Sequence, residues 1–360
     1  MNKRMLFSLL AIILLATSFL AGCAPKATPT TEVPVVAPVE TQVEAATVAP
    51  TTSEPPLVFA AFASVIEEPW DGVIHAALLA AQAAGRITYK YTENIGYSGD
   101  MERVLAEVVE QQHPIAIFGD AFGNEEAVRR VAALYPDTPF IFGSGFGPSA
   151  PNLSVFDNWI HEPAYLAGML AGGLTKSNIV GVIGGFPVPE VNRLVNAFIA
   201  GARETNPQVT VLVNFINSWF DPATAAEQTR AQIDAGADVF YAERFGVIEV
   251  AAAAKDYVFG NMSDQNSLAP DYVVSSVCWT LDPTVAYVLN QIGAGSYIAQ
   301  DLKDFSMFAN GGAFLAPYHG LESKLPADLL TKVAAKEDLI KTGLFRVDIN
   351  EGQPAAVNHP

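Results

Sequence analysis

From residue 57 onward the chain alternates short apolar runs with helical patterns, and this alternation limits its fold more than any other feature. Residues 57–63, 87–92, 115–119, 140–143 and 153–156 read as strands. Residues 71–84, 100–111 and 125–135 read as the helices between them, the second with Val104, Leu105, Val108 and Val109 on one face. The theme then restarts. Strands are expected at 179–184, 209–215, 239–242, 257–260, 273–277 and 312–316, and helices at 164–174, 189–204, 223–235, 247–254, 282–292 and 327–340. Strands joined by helices of this length form a parallel sheet covered on both faces. The expected class is therefore α/β, with two lobes that are each a doubly wound parallel sheet. The first lobe should span 57–157 and the second 158–277. The closing segments 278–360 should be shared between the lobes, because the runs after Val277 need a sheet to join.

What precedes residue 57 reads differently. Met1-Asn2-Lys3-Arg4 is a basic start, an apolar run follows to Leu20, and small residues lead to Cys23. Residues 1–22 have the layout of a secretory signal peptide, and the run is too short and one-sided for a membrane span. Leu20-Ala21-Gly22-Cys23 resembles a bacterial lipobox, which implies a palmitate-type acyl anchor on Cys23; a plain signal peptide with a chance cysteine is the competing reading. Residues 23–56 are rich in Pro, Thr, Val, Ala and Glu, without an amphipathic period, and read as a disordered tether. The expected location is the extracytoplasmic face of the cell membrane, held there by lipid. Cys278 is the only cysteine besides Cys23, so an acylated Cys23 leaves no intrachain disulfide, and Cys278 reads as a buried strand residue.

Several function classes fit poorly. A formal net charge of -18 makes nucleic acid a poor partner. Gly143-Ser144-Gly145-Phe146-Gly147 lacks dinucleotide spacing, and Gly181-Val182-Ile183-Gly184-Gly185 lacks the lysine of a phosphate loop. The five histidines form no metal-ligand spacing, and no G-x-S-x-G elbow is present. The expectation is a protein without cofactor, metal or catalytic constellation, and not an enzyme.

What the chain offers instead is aromatic and acidic residues after its strands. Glu67-Glu68-Pro69-Trp70-Asp71 follows the first. Asp120 and Phe122 follow the third, Phe186 follows 179–184, and Glu243-Arg244 follows 239–242. Ser263-Asp264 follows a later strand. The segment Asn217-Ser218-Trp219-Phe220-Asp221-Pro222 joins a strand to a helix, with Asp221 placed as N-cap and Pro222 at the first helical position. Ligands of open α/β sheets bind at this edge. Trp219 and Phe220 are either a stacking surface or a plug between strand and helix. Asp71, Asp221 and Asp264 also suit helix or turn caps, Phe186 suits packing, and Glu243 suits an ion pair with Arg244. Trp70 and Trp219, one from each lobe, are placed to close on the two faces of a planar ring. Carboxylates accept hydrogen bonds only, so Asp71, Asp120, Glu243 or Asp264 would select an edge rich in N–H donors. Flat and N–H-rich describes a nucleobase.

A family resemblance rests on a set of segments: Leu174-Thr175-Lys176-Ser177-Asn178 with Val180 to Gly184, Phe186-Pro187-Val188-Pro189-Glu190-Val191, Asn206-Pro207, Ser218 to Pro222, Asp234 to Val239, and Ser263-Asp264-Gln265. In these the chain resembles the basic membrane lipoproteins, the purine-nucleoside-receptor type of ABC transporter binding protein. The resemblance implies a type I periplasmic-binding-protein fold, a small-molecule ligand and an ABC permease as membrane partner. It also implies that a base is sandwiched at Trp70 and Trp219, with Asp71 and the segment 119–122 beside it. The chain departs from the family where ribose is held: Met262 stands at an aspartate position and Trp279 at a lysine position. A ribose hydroxyl buried without a partner costs about 1–3 kcal/mol, so a free purine base such as adenine is preferred. A nucleoside or another flat heterocycle, a sensory lipoprotein that transports nothing, and an extracytoplasmic purine hydrolase are the alternatives.

Overall fold

The computed structural model describes residues 54–354. The expected signal peptide, Cys23 and most of the expected tether lie outside the described residues. The first sheet holds β1 (Leu57–Ala61), β2 (Thr88–Thr92), β3 (Ala116–Asp120), β4 (Phe140–Gly143) and β5 (Leu153–Phe156) in the order β2-β1-β3-β4-β5, all parallel. Successive side chains of a strand point to opposite faces. Val58 and Ala60 accordingly meet Ile74 and Leu78 of α1 (Pro69–Ala83). Phe59 and Ala61 share the other face with Leu105 and Val108 of α2 (Asp100–Gln112) and Val128 and Val131 of α3 (Glu125–Leu134).

The second lobe begins with α4 (His161–Leu174). Its sheet holds β6 (Ile179–Gly184), β7 (Thr210–Phe215), β8 (Val239–Ala242), β9 (Tyr257–Met262), β10 (Val273–Trp279) and β11 (Ala313–Leu315), in the order β11-β10-β9-β8-β6-β7. Helices α4 and α5 (Pro189–Thr205) cover one face, and α6 (Pro222–Asp234) and α7 (Val247–Ala254) cover the other. β7 is the outer strand of this sheet. One finding differs from the sequence reading. β11 runs antiparallel to β10, so the sheet is mixed; a three-residue run carries no signal of its direction.

After β10 the chain visits both lobes. Helix α8 (Asp282–Gly293) packs on α1, and the segment that follows bridges β5 through Val155 and Asp301. The chain then returns as β11 and α9 (Ala327–Lys341), the latter lying against α4. Helices α4 and α5 cross closely because glycine stands at the contact. A Cβ added at Gly168 would lie 2.0 Å from the Phe198 carbonyl oxygen, and one at Gly201 would lie 1.9 Å from that of Tyr165. Cys278 sits fully buried in β10 as a free thiol, and burial pushes its pKa up to about 12. Among the described residues no helix is long and apolar enough to cross a membrane.

Candidate functional site

The carboxyl ends of both sheets open onto one cavity of about 480 Å³. Lobe 1 lines it with Ser64, Glu68, Trp70, Tyr97, Asp120 and Phe122. Lobe 2 contributes Glu190, Arg193, Trp219 and Arg244, and Asp157 lies at the crossing between the lobes. The lobes are closed on each other at this level. The Phe122 ring meets Trp219 edge-on at 5.2 Å, and Arg244 Nη1 reaches Glu68 Oε1 across the cleft at 3.2 Å.

The local sequence explains these placements. Asp221 caps α6 by accepting from the Thr224 N–H at 3.0 Å, and Pro222 opens the helix, which holds Trp219 on the loop above β7. The indole is framed by Phe186 at 4.8 Å between ring centroids and by the Arg244 guanidinium at 5.2 Å; Arg244 also donates to the Trp219 carbonyl at 3.1 Å. Glu68 caps α1, accepting from the Trp70 and Asp71 N–H groups at 2.9 and 3.0 Å. One side chain thus fixes the backbone under the first aromatic and takes the interlobe ion pair.

Trp70 lines the cavity but is only 7% exposed. It stacks on Phe156 at 5.6 Å and touches Trp279 at 5.2 Å, and its ring lies so near β4 that a Cβ on Gly143 would come within 1.8 Å of it. A freely presented pair of indoles is therefore not what the cleft contains. Trp219 is the half-open ring, Phe122 is its exposed aromatic neighbour from lobe 1 and in turn meets Tyr97, and Trp70 is a wall packed into its own half.

The remaining sequence candidates divide. Asp120 lines the cavity, and its Oδ1 accepts from the Phe122 N–H at 3.0 Å. Asp71 is buried behind the wall, with Oδ1 unpartnered. Glu243 is also buried off the cavity, because it is consumed by Arg244 and by the Gly185 N–H at 2.8 Å. Phe186 packs behind Trp219. Asp264 lies on a separate groove, paired with His319 at 2.7 Å. Met262 and Trp279 are buried at 0% and 3% exposure.

Sequence reasoning missed Glu190, Arg193, Asp157 and the double role of Glu68. Glu190 lies in the first turn of α5, where an acid reads as helix-dipole complement. Arg193 is buried under Trp159 at 4.5 Å and holds Asp157 at 2.7 Å and Glu351 at 2.9 Å. Burial raises several carboxyls here. Asp120 moves up to about 7, opposed by the Phe122 N–H. Glu190 moves up to about 8 through burial and then the Glu243 charge. Glu68 is raised by burial against the pull of Arg244, and Asp71 is raised by burial and then by Asp120. Among the described residues no cluster suited to a metal ion occurs. The cavity lies between the lobes and is of a size to hold a small molecule.

Comparison with known proteins agrees with that architecture. A purine-binding protein of Brucella abortus is 29% identical over 263 residues, covering 72% of each chain. A putative ABC transporter glucose-binding protein of Haloferax volcanii is 35% identical over 212 residues, and the chain spans 54% of its length. Solute-binding proteins of ABC transporters from Conexibacter woesei and Aeropyrum pernix share the fold. Their TM-scores are 0.67 and 0.71 at 21% and 15% identity, with 82% of this chain covered in both cases and 99% and 94% of theirs. The family described as PnrA-like ABC transporter substrate-binding proteins matches residues 58–301, and the chain belongs to that family of non-enzymatic binding proteins.

Proposed function

We propose that the protein is the lipid-anchored receptor of an ABC importer and captures a purine base, adenine-like in its edge, by closure of its two lobes. The observation that carries this reading is the composition of the closed cavity. One side is aromatic, through Trp219 and Phe122, and the carboxyls not already spent on ion pairs are those of Asp120 and Glu190. A planar heterocycle satisfies both, by stacking and by edge hydrogen bonds. Met262 and Trp279 favour a base over a nucleoside, because they stand where the resemblance implies an aspartate and a lysine for ribose, and neither brings a polar group to the cavity. The purine-binding relative from Brucella supports the same ligand class. Delivery is to a membrane permease, with acylated Cys23 as the tethering point on the extracytoplasmic face.

A hexose is the competing ligand. Aromatic faces and carboxylates also serve sugar hydroxyls, and the Haloferax relative is named as putative glucose-binding. Native mass spectrometry of the purified protein followed by a thermal-shift screen of bases, nucleosides and glucose separates these. Stabilisation by adenine well above adenosine and glucose is expected; stabilisation by glucose alone removes the purine reading. The intact mass of membrane-extracted protein should carry acyl chains on Cys23.

A further inference from the structure

Glu190 is the carboxyl of the cleft that the charge balance leaves over. The cationic side chains lining the cavity are Arg193 and Arg244. Arg193 is engaged by Asp157 and Glu351, and Arg244 by Glu68 and Glu243. Four carboxylates thus occupy two guanidiniums, and neither Glu190 nor Asp120 forms an ion pair among the described residues. Glu190 is also oriented: the Asn158 side-chain amide donates to its Oε1 at 2.6 Å, which leaves the rest of the carboxyl to the cavity. The ionisable groups facing it are Asp157 beyond β5, Arg193 on its own helix, and Tyr241, Glu243 and Arg244 at the end of β8. Asp120 is the lobe 1 carboxyl on the same cavity. A third negative charge beside Asp157 and Glu243, out of water and without its own cation, is unfavourable.

We propose that Glu190 is the specificity-determining group of the cleft, entering the complex as a neutral carboxylic acid that donates its hydrogen to a ring nitrogen and accepts from the adjacent exocyclic amino group. This rests on the reading of the cleft as a purine-base site and narrows it. A carboxylic acid presents one donor and one acceptor side by side, which matches an acceptor–donor edge such as that of adenine. An ionised carboxylate presents acceptors alone and matches the donor–donor edge of guanine. The ring nitrogen of an aminopurine is a far weaker base than a carboxylate so placed, so the shared proton resides on Glu190. The burial that raises this carboxyl to about 8 keeps it protonated at neutral pH.

The test is calorimetric titration of the full chain with adenine from pH 6 to 9. Wild-type affinity should be level up to about pH 7.5 and then fall, approaching about tenfold per pH unit above 8. Titration at pH 9 in two buffers of different ionisation enthalpy should show uptake of close to one proton. Glu190→Gln keeps a donor and an acceptor in the same places. It should bind adenine within about tenfold of wild type at neutral pH, without the fall, whereas Asp120→Asn should retain the fall. Affinity that stays level across the range, or a fall that persists in Glu190→Gln, overturns the assignment while leaving adenine as ligand. If no base binds at any pH, the purine reading fails, and this inference fails with it.

Discussion

Trp219 and Trp70 look alike in the sequence, each a tryptophan beyond a strand, but they do different work. Trp219 is half-buried and braced by Phe186 and Arg244, so Trp219→Ala should weaken ligand binding tenfold or more, on the order of 1.4 kcal/mol, with little loss of stability. Trp70 is packed among Phe156, Trp279 and Gly143, so Trp70→Ala should cost about 3–5 kcal/mol of stability as well as affinity. Chemical denaturation alongside titration separates the two; equal stability losses would contradict the assignment. The sequence located these aromatics because strand-end tryptophans are rare and conspicuous. It could not rank them, since burial depends on β4 and β10, far away in the chain. Glu68 and Glu190 escaped for the opposite reason: an acid at a helix start has an ordinary local explanation, and only the folded cleft shows what else it faces.

The elements were legible wherever periodicity ran for several residues. Helices α2, α5 and α9 fall within one residue of their expected limits at either end, because a stripe of apolar side chains fixes both the element and its buried face. β11 was found as a strand but not as an antiparallel one, since pairing direction is decided by the connection around it. The α4–α5 crossing was not legible at all. Its closeness depends on Gly168 and Gly201 facing the other helix's backbone, and isolated glycines in a helical pattern do not announce a partner. Gly201→Ala should destabilise the fold by about 1–3 kcal/mol through overpacking. Thermal unfolding measures this, and an unchanged midpoint would mean that the helices separate freely.

At the scale of the molecule, closure gathers carboxyls from both lobes. Asp120 and Glu190 are raised by burial to about 7 and about 8, from ordinary values of 3.8 and 4.5. The folded protein therefore binds more protons than the unfolded chain between those limits, and the stability of the ligand-free protein should fall as pH rises from about 4 to about 8. Melting curves across that window, with Glu190→Gln falling less than wild type, check the sign; a rise would show that the ion pairs dominate. The two-lobe plan could be read from the restart of the strand–helix alternation, but the latch between lobes could not. Arg244 and Glu68 lie far apart in sequence and meet across the closed cleft.

The sealed position of Cys278 has a practical side. A thiol buried in β10, with its pKa pushed up to about 12, is silent to maleimide dyes under mild conditions. Phe146, 91% exposed on the rim of the cleft, can be exchanged by Phe146→Cys in a chain lacking Cys23, so that a single fluorophore sits at the mouth of the trap. Such a labelled molecule would convert each capture event into an optical signal and report the ligand in real time, without the transporter.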